Sequence, residues 1–200
     1  MPACNVGGFV PNEGAERPII QIHFTPGAGG MDENGNMVAT PDPGVNSTIT
    51  TVRPTSRGTV HARSTDPKDH PRILHNYLST EHDRRLALEG FKLQRRIFQS
   101  EAFKPHATYE ILPGDSVQTD DEIMEFWRNE SMSVYHPVGS SKMGPADDPM
   151  AVVDRELRVH GLAGLRIVDA SIFPLLPSGN THAPTVAVAE RAADLILGTG

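Results

Sequence analysis

The chain has 200 residues, 38% of them hydrophobic and 22% charged, and carries a formal net charge of -7. This composition predicts a globular protein of one domain, or of one domain with a small addition. The acidic balance argues against a nucleic-acid-binding surface, which requires a basic patch. A single cysteine, Cys4, excludes an intrachain disulfide and fits a reducing compartment. Because no apolar run reaches the roughly 18 residues of a membrane span and the first residues lack a signal-peptide pattern, we expect a cytoplasmic protein without a membrane span.

The first third of the sequence predicts three strands separated by irregular segments. Residues 1–16 are rich in Gly, Pro and Asn and are expected to form a lead-in or a truncated end. Residues 18–24 are apolar and β-branched and predict a strand, whereas residues 25–44 predict a long loop. Residues 47–53 and 58–63 predict two more strands, and the turn residues between them favour their pairing as an antiparallel hairpin.

Two helices are predicted in the middle of the chain. Residues 80–99 place apolar side chains on one face, and Thr80 can cap their N-terminus, as can the serine before it. Residues 120–131 predict the second helix, where Thr119 and Glu122 have the spacing of a capping box. Both predictions depend on a local signal, a cap followed by an amphipathic pattern.

The C-terminal part is predicted to contain one short buried strand and one helix. Residues 165–169 are mostly apolar and predict the strand. The helix is expected to begin near Pro184, since proline is favoured in a first turn, and to end at Gly198, a residue type typical of C-caps. Strands followed by helices, with a hairpin, indicate the α+β class.

His136 is the first candidate for chemistry. It precedes Pro137, which disfavours a helix at the histidine, and Gly139 and Gly144 let the following loop turn tightly. A neutral imidazole can accept a proton near pH 7, so the position suits a general base. Taken alone, however, a histidine in such a loop is more commonly structural.

Asn180 is the second candidate, between Pro177 and the predicted last helix. Its amide can donate to a substrate oxygen or cap the helix, and capping is the more common role. His182 follows two positions later, so in an extended segment the two side chains would face opposite sides and at most one would point at a substrate. Asp169 ends the predicted strand, and we expect its carboxylate to bond the backbone or a cofactor hydroxyl. The remaining histidines lack metal-ligand spacing, so no metal site is predicted.

A resemblance to a known family begins at His136. The sequence His-Pro-Val-Gly-Ser-Ser-Lys-Met-Gly, from His136 to Gly144, resembles the H-P-x-G-[ST]-x-x-M-G run of glucose–methanol–choline (GMC) oxidoreductases. The resemblance covers nearly the whole chain from about Arg17. The other segments that fit the family pattern, in chain order, are 53–60, 77–78, 153–154, 158–162, 165–171, 177–185 and 189–196.

This resemblance implies an FAD-dependent enzyme that oxidises the CH–OH group of an alcohol, with proton removal by a base and hydride transfer to the flavin. It implies that His136 is the catalytic base and that Asn180 is its partner, while His182 would line the pocket or position the backbone. The residues implied to bind the cofactor are Asp169, Ala170, Asn180, Thr181 and His182. The implied fold is α+β, with the antiparallel sheet of the GMC substrate domain, flanking helices, and a C-terminal strand and helix that return to an FAD-binding domain.

One family motif has no counterpart in the sequence. The G-x-G-x-x-G run that binds the FAD pyrophosphate is approached only by the glycines at 27–30, after which no helix is predicted. The chain therefore resembles the C-terminal half of a GMC enzyme, with a substrate-binding domain at 17–148 and a segment at 149–200 that completes the FAD domain. FAD would not be held by this chain alone, and the implied partners are a small alcohol and a polypeptide with the FAD domain. The alternative is a non-catalytic truncated module or remnant; a serine hydrolase is disfavoured, since no G-x-S-x-G elbow is present.

Overall fold

The computed structural model describes residues 6–11, 16–31, 37–39 and 43–199 of the chain. The chain divides into two compact units. The first comprises Met1–Val52 and Thr80–Met132, and the second comprises Arg53–Ser79 and Ser133–Gly200.

Antiparallel strands and α-helices make up the regular structure of the described residues, so the predicted α+β class is confirmed. The strands are β1 (Val6–Pro11), β2 (Pro18–Pro26), β3 (Gly29–Met31), β4 (Met37–Ala39), β5 (Val45–Thr51), β6 (Thr59–His61) and β7 (Arg72–Leu74). The helices are α1 (Glu81–Phe98), α2 (Asp120–Glu130) and α3 (His182–Leu197), with a 3-10 turn at Ala170–Ile172.

The first unit is built on a three-stranded antiparallel sheet in the order β1-β2-β5. In its register Ile22 of β2 lies opposite Ile49 of β5, and Ile20 and Ile22 are both only 3% exposed. Because these two residues are two positions apart along β2, they point to the same face, and α1 packs against that face. Gly90 lets the helix come close, since a Cβ at this position would lie 3.1 Å from Ile49 Cδ1.

Both predicted middle helices are confirmed, together with their caps. The Thr80 side chain accepts a hydrogen bond from Asp83 N–H at 3.2 Å at the start of α1. At the start of α2, Thr119 Oγ1 accepts from Glu122 N–H, and the Glu122 carboxylate accepts from Thr119 N–H. These bonds satisfy N–H groups that have no partner inside the helix.

The strand predictions in the first unit are partly wrong. The predicted strand at 18–24 is confirmed and continues to Pro26 as β2. Residues 6–11 form β1, however, rather than a lead-in, and β3 pairs with β4 within the segment predicted to be a loop. The remaining parts of these two predictions, at 1–5, 12–15, 32–36 and 40–42, lie outside the described residues.

The predicted hairpin of residues 47–53 with 58–63 is also wrong. β5 pairs with β2, and β6 pairs with β7. The pairing of β5 with β2 places Ile49 on the face covered by α1, whereas every residue of β6 is exposed. Burial of apolar area therefore favours the observed pairing, and the turn residues at 54–58 belong to the second unit instead of closing a hairpin.

The second unit has a small apolar core. It consists of Val153, Leu157, Ile172 and Ala192, each at most 3% exposed. Ala192 comes from α3 and Ile172 from the 3-10 turn, and the other two come from the irregular segment between residues 144 and 169. The unit is thus held by side chains from irregular backbone packed against a single helix.

The predicted strand at 165–169 is wrong. Leu165 is 49% exposed, and the local pairing is an isolated bridge between Arg158 and Arg166. Ile167 and Val168 are partly buried against the core, which explains why this stretch is apolar without being a strand.

The predicted last helix is confirmed as α3. Pro184 lies in its first turn, and Gly198 is its C-cap with a left-handed φ of 70°. None of the helices in the described ranges is long and apolar enough to cross a membrane.

Candidate active site

Backbone hydrogen bonds join the two glycine- and proline-rich runs of the second unit. The N–H groups of Ser141 and Met143 donate to the carbonyl oxygens of residues 171 and 172, at 3.0 and 2.8 Å. Gly139 turns the first run with a φ of 85°, and a Cβ on it would lie 3.3 Å from Phe173 O. The two runs are therefore held side by side although they are far apart in the sequence.

His136, Asn180 and Thr181 meet at this junction, and we call them the His136 cluster. Asn180 Nδ2 lies 2.7 Å from His136 Nε2, and Thr181 Oγ1 lies 2.9 Å from His136 Nδ1. Thr181 is only 8% exposed, His136 is half-buried and Asn180 is exposed. The imidazole thus has a buried partner on Nδ1 and an accessible partner on Nε2.

Thr181 is the N-cap residue of α3, yet its side chain makes no capping hydrogen bond. An N-cap side chain accepts from the second or third helical residue, and here the third is Pro184, which has no N–H. The hydroxyl lies against His136 instead. The backbone of Thr181 is helical, with φ of -82° and ψ of -9°, so this segment is not extended and Asn180 and His182 need not face opposite sides.

Tyr135, directly before His136, has an unusual backbone conformation. Its φ is 60°, in the left-handed region that residues other than glycine seldom adopt. Its N–H donates to Ser133 Oγ at 3.0 Å, and its side chain is 80% exposed. Strained residues of this kind occur preferentially at functional sites, and this one presents an aromatic ring next to the candidate base in the sequence.

The other predicted site residues lie outside the His136 cluster. Asp169 Oδ1 accepts from Ser171 N–H at 2.7 Å and caps the 3-10 turn, a backbone contact of the kind expected from the sequence. Ala170 is the first residue of that turn, and His182 is the exposed first residue of α3. Within the described part of the chain, none of these three side chains bonds His136.

Sequence reasoning missed Arg53, which has a place at the site, and did not predict the contact of Thr181 with His136. Arg53 Nε donates to Ser178 Oγ at 2.8 Å, two residues before Asn180, and so ties the segment 53–79 to the loop that carries the amide. Thr181 is predicted as a cofactor contact, and its hydroxyl also contacts the imidazole. Pro184, three positions after Thr181, was the available signal, because it removes the usual partner of an N-cap hydroxyl.

Two carboxylates accept hydrogen bonds in the irregular segment between residues 142 and 158. Lys142 Nζ lies 2.5 Å from Asp148 Oδ2, and this hydrogen bond is the main reason that the pKa of Asp148 is lowered. In Asp154, burial raises the pKa, but hydrogen bonds from the N–H groups of Arg158 and Glu156 outweigh it, so the pKa is lowered. Both side chains are therefore ionised near neutral pH and act as acceptors that fix the loops.

Known proteins resemble the chain in sequence and in structure. The GMC oxidoreductase family model matches residues 54–189, which contain the whole His136 cluster. The chain belongs to the GMC oxidoreductase family. Its matched region corresponds to the C-terminal domain of GMC oxidoreductases, so the family resemblance inferred from the sequence is confirmed.

Individual relatives agree with this assignment. The oxygen-dependent choline dehydrogenase of Stenotrophomonas maltophilia (strain K279a) is 45% identical over 193 residues, which are 96% of this chain and 34% of that protein. Pyridoxine 4-oxidase from Mesorbium loti has a TM-score of 0.83 at 28% identity, over 96% of this chain and 37% of that one. An FAD-dependent oxidoreductase from Chaetomium thermophilum has a TM-score of 0.73 at 30% identity, over 92% and 29% of the respective chains. The chain spans about a third of the length of the curated relatives it matches.

Proposed function

We propose that this chain is the C-terminal part of an FAD-dependent oxidoreductase that oxidises the CH–OH group of an alcohol to a carbonyl. His136 is the base that accepts the hydroxyl proton, and Asn180 is the second partner of the substrate oxygen. The observation that carries the proposal is the 2.7 Å contact between Asn180 Nδ2 and His136 Nε2 in a GMC family member. It supports the proposal because the imidazole, a proton acceptor, and the amide, a hydrogen-bond donor, are close enough to contact the same hydroxyl oxygen of a substrate.

In this mechanism the chain's own groups handle the hydroxyl. The amide of Asn180 donates to the alcohol oxygen and orients it, while the imidazole of His136 takes the proton. Loss of the proton raises the electron density on the oxygen, which assists departure of the hydride from the carbinol carbon. The bound FAD would accept that hydride.

The described residues offer N–H donors for acceptor atoms of a flavin, but Gly29 and Gly30 do not form a loop for its diphosphate. The first-turn N–H groups of α3 receive no cap from the Thr181 side chain, so they can donate to acceptor atoms of a ligand. By contrast, Gly29 and Gly30 lie in β3 and pair with β4, whereas a phosphate-binding glycine loop opens directly into a helix. The residues that we propose to contact FAD are Asp169, Ala170, Asn180, Thr181 and His182.

The rest of the FAD site would come from protein outside residues 1–200. The apolar end of α3 supports this, because Ile196 is 59% exposed and Leu197 is 73% exposed. Exposed apolar area of this kind suits burial against another domain. In this proposal residues 17–148 form the substrate-binding domain and residues 149–200 complete the FAD domain.

Choline is the alcohol that we propose first. A choline dehydrogenase is 45% identical to the chain, and the exposed ring of Tyr135 directly precedes His136. Aromatic faces attract quaternary ammonium groups, and the net charge of -7 favours the approach of a cation. The sequence and the site chemistry thus point to the same class of substrate.

The test requires the chain in complex with an FAD-binding partner and an assay of choline oxidation. We expect His136→Ala to lower kcat by about 10²–10⁴, the usual contribution of a general base. Asn180→Ala should cost less, because an amide only orients and donates. His106→Ala, a change at an exposed histidine of the first unit, is the matched control and should leave kcat unchanged. A kcat in His136→Ala close to that of wild type would show that His136 is not the base.

The second candidate is a non-catalytic module. It is favoured by the strand conformation of Gly29 and Gly30, because these glycines are the part of the sequence most similar to a phosphate-binding loop and they do not form one. Calorimetry of the chain with choline separates the two. Binding of choline, together with no oxidation in any complex that carries FAD, would establish the module, whereas oxidation in such a complex excludes it.

A further inference from the structure

The contacts of His136 specify which ring nitrogen carries the proton. We propose that Thr181 is a positioning residue that holds the neutral imidazole of His136 as the Nδ1–H tautomer. This tautomer places the lone pair on Nε2, which accepts from Asn180 in the free chain and takes the substrate proton once the alcohol oxygen receives the amide N–H instead. The consequence for catalysis rests on the proposed function, but the tautomer is a property of the chain itself.

The amide nitrogen of Asn180 sets the first constraint. An amide NH₂ group donates and cannot accept, and Asn180 Nδ2 lies 2.7 Å from His136 Nε2. With the amide in this orientation, Nε2 is the acceptor in this contact. A neutral imidazole that is unprotonated at Nε2 carries its proton on Nδ1.

The hydroxyl of Thr181 sets the second constraint. It lies 2.9 Å from His136 Nδ1 and can accept the Nδ1–H, because a hydroxyl oxygen has two lone pairs. Thr181 is 8% exposed, so water does not readily replace this partner. The Thr181 hydroxyl does not cap α3, and Pro184, the third residue of the helix, has no N–H to donate to it. The hydroxyl can therefore bond the imidazole.

The opposite assignment has a different and measurable consequence. If the amide of Asn180 were reversed, its oxygen would accept an Nε2–H, and the Thr181 hydroxyl would donate to an unprotonated Nδ1. The lone pair would then face Thr181, on the buried side of the ring, and could not take a proton at the accessible side. The two arrangements differ in the position of one proton.

Nitrogen NMR measures that position directly. We would record two-bond ¹H–¹⁵N correlation spectra of the histidine rings in the ¹⁵N-labelled 200-residue chain, at about pH 8.5, where ordinary histidines are neutral. The His136→Ala spectrum identifies the ring of interest among the nine histidines. We expect the Nδ1–H pattern in the wild type, a gain of the Nε2–H form in Thr181→Val, which keeps the shape and removes the hydroxyl, and the wild-type pattern in Thr181→Ser.

An Nε2–H pattern in the wild-type chain would overturn the proposal. This test needs no variant, so it does not depend on whether a variant folds. An unchanged Nδ1–H pattern in Thr181→Val would equally overturn it, because the ring would then be positioned without the hydroxyl.

Turnover in the FAD-containing complex gives the second reading. Loss of one hydrogen bond to the base should lower kcat about five- to tenfold in Thr181→Val, with KM changed less than about twofold, and Thr181→Ser should restore kcat. An unchanged kcat in Thr181→Val refutes the positioning role. Turnover that survives His136→Ala refutes the proposed function instead and leaves the tautomer measurement intact, so the two failures are distinguishable.

Discussion

Ile172 connects the core of the second unit to the backbone of the site, and its truncation is the most informative stability test. The side chain is 1% exposed and packs with Val153, Leu157 and Ala192. Ile172→Ala removes three carbon atoms, worth about 2.4 kcal/mol at ~0.8 kcal/mol for each buried carbon. The cavity left behind adds to this, so we expect a total loss of about 3–4 kcal/mol in the free energy of unfolding. Ile172→Val removes one carbon atom and should cost about 1 kcal/mol.

Thermal unfolding of the 200-residue chain, followed by circular dichroism, checks these values. With about 2–4 °C lost for each kcal/mol at this chain length, Tm should fall by about 6–16 °C in Ile172→Ala and by about 2–4 °C in Ile172→Val. Leu175→Ala is the matched control, since Leu175 is an aliphatic residue three positions away that is 68% exposed, and it should stay within about 2 °C of wild type. The reasoning fails if Ile172→Ala shifts Tm no further than this control does.

Three further predictions concern local contacts. Thr119→Ala removes the capping box of α2 and should lower the free energy of unfolding by about 1 kcal/mol, measured by urea denaturation. Asp148→Asn should lower Tm at pH 7, because Lys142 holds the pKa of Asp148 below its ordinary value. Stability that comes from a lowered carboxyl pKa is complete above the pKa of the unfolded chain and is lost as the pH falls through the folded pKa. The difference in Tm between Asp148→Asn and wild type should therefore close as the pH falls below about 4. Arg53→Ala removes the hydrogen bond to Ser178 and should speed amide hydrogen exchange in the peptide that carries residues 178–181.

Each of these has a control in the chain. Thr108→Ala changes an exposed threonine outside any helix and should leave the urea midpoint unchanged. Asp147→Asn removes an exposed carboxylate beside Asp148 and should leave Tm at pH 7 close to that of wild type. Arg57→Ala is the control for Arg53, because among the described residues the Arg57 guanidinium bonds carbonyl oxygens of its own loop. If control and test variants behave alike, the corresponding contact does not have the assigned role.

Local signals predicted the helices well. Thr80 and Thr119 each cap the helix that their sequence context indicated, because the partners of a cap lie within three residues of it. Gly198 likewise ends α3, since a left-handed C-cap requires little more than a glycine at that point. Such contacts do not depend on the rest of the fold, so the sequence is sufficient to identify them.

Strand pairing was less predictable, because it is decided over long distances. The β5 strand could have paired with β6 nearby, but it pairs with β2, where Ile49 reaches the face covered by α1. The apolar stretch at 165–169 has the composition of a buried strand, yet Ile167 and Val168 pack on the core from irregular backbone. Composition indicates that a segment is partly buried, but it does not indicate whether a neighbouring strand is available.

The candidate site shows the same division between local and distant information. Family resemblance singled out His136 and Asn180, which are 44 positions apart, whereas nothing in the local pattern predicts that their side chains meet. Their approach depends on the backbone bonds from Ser141 and Met143 to residues 171 and 172, and Ile172 anchors those residues in the core. Because irregular backbone lacks the regular hydrogen bonding of a sheet, the precision of the imidazole–amide contact must come from this buried side chain and from the partners of the ring. Packing in the second unit is therefore part of what orients the proposed base.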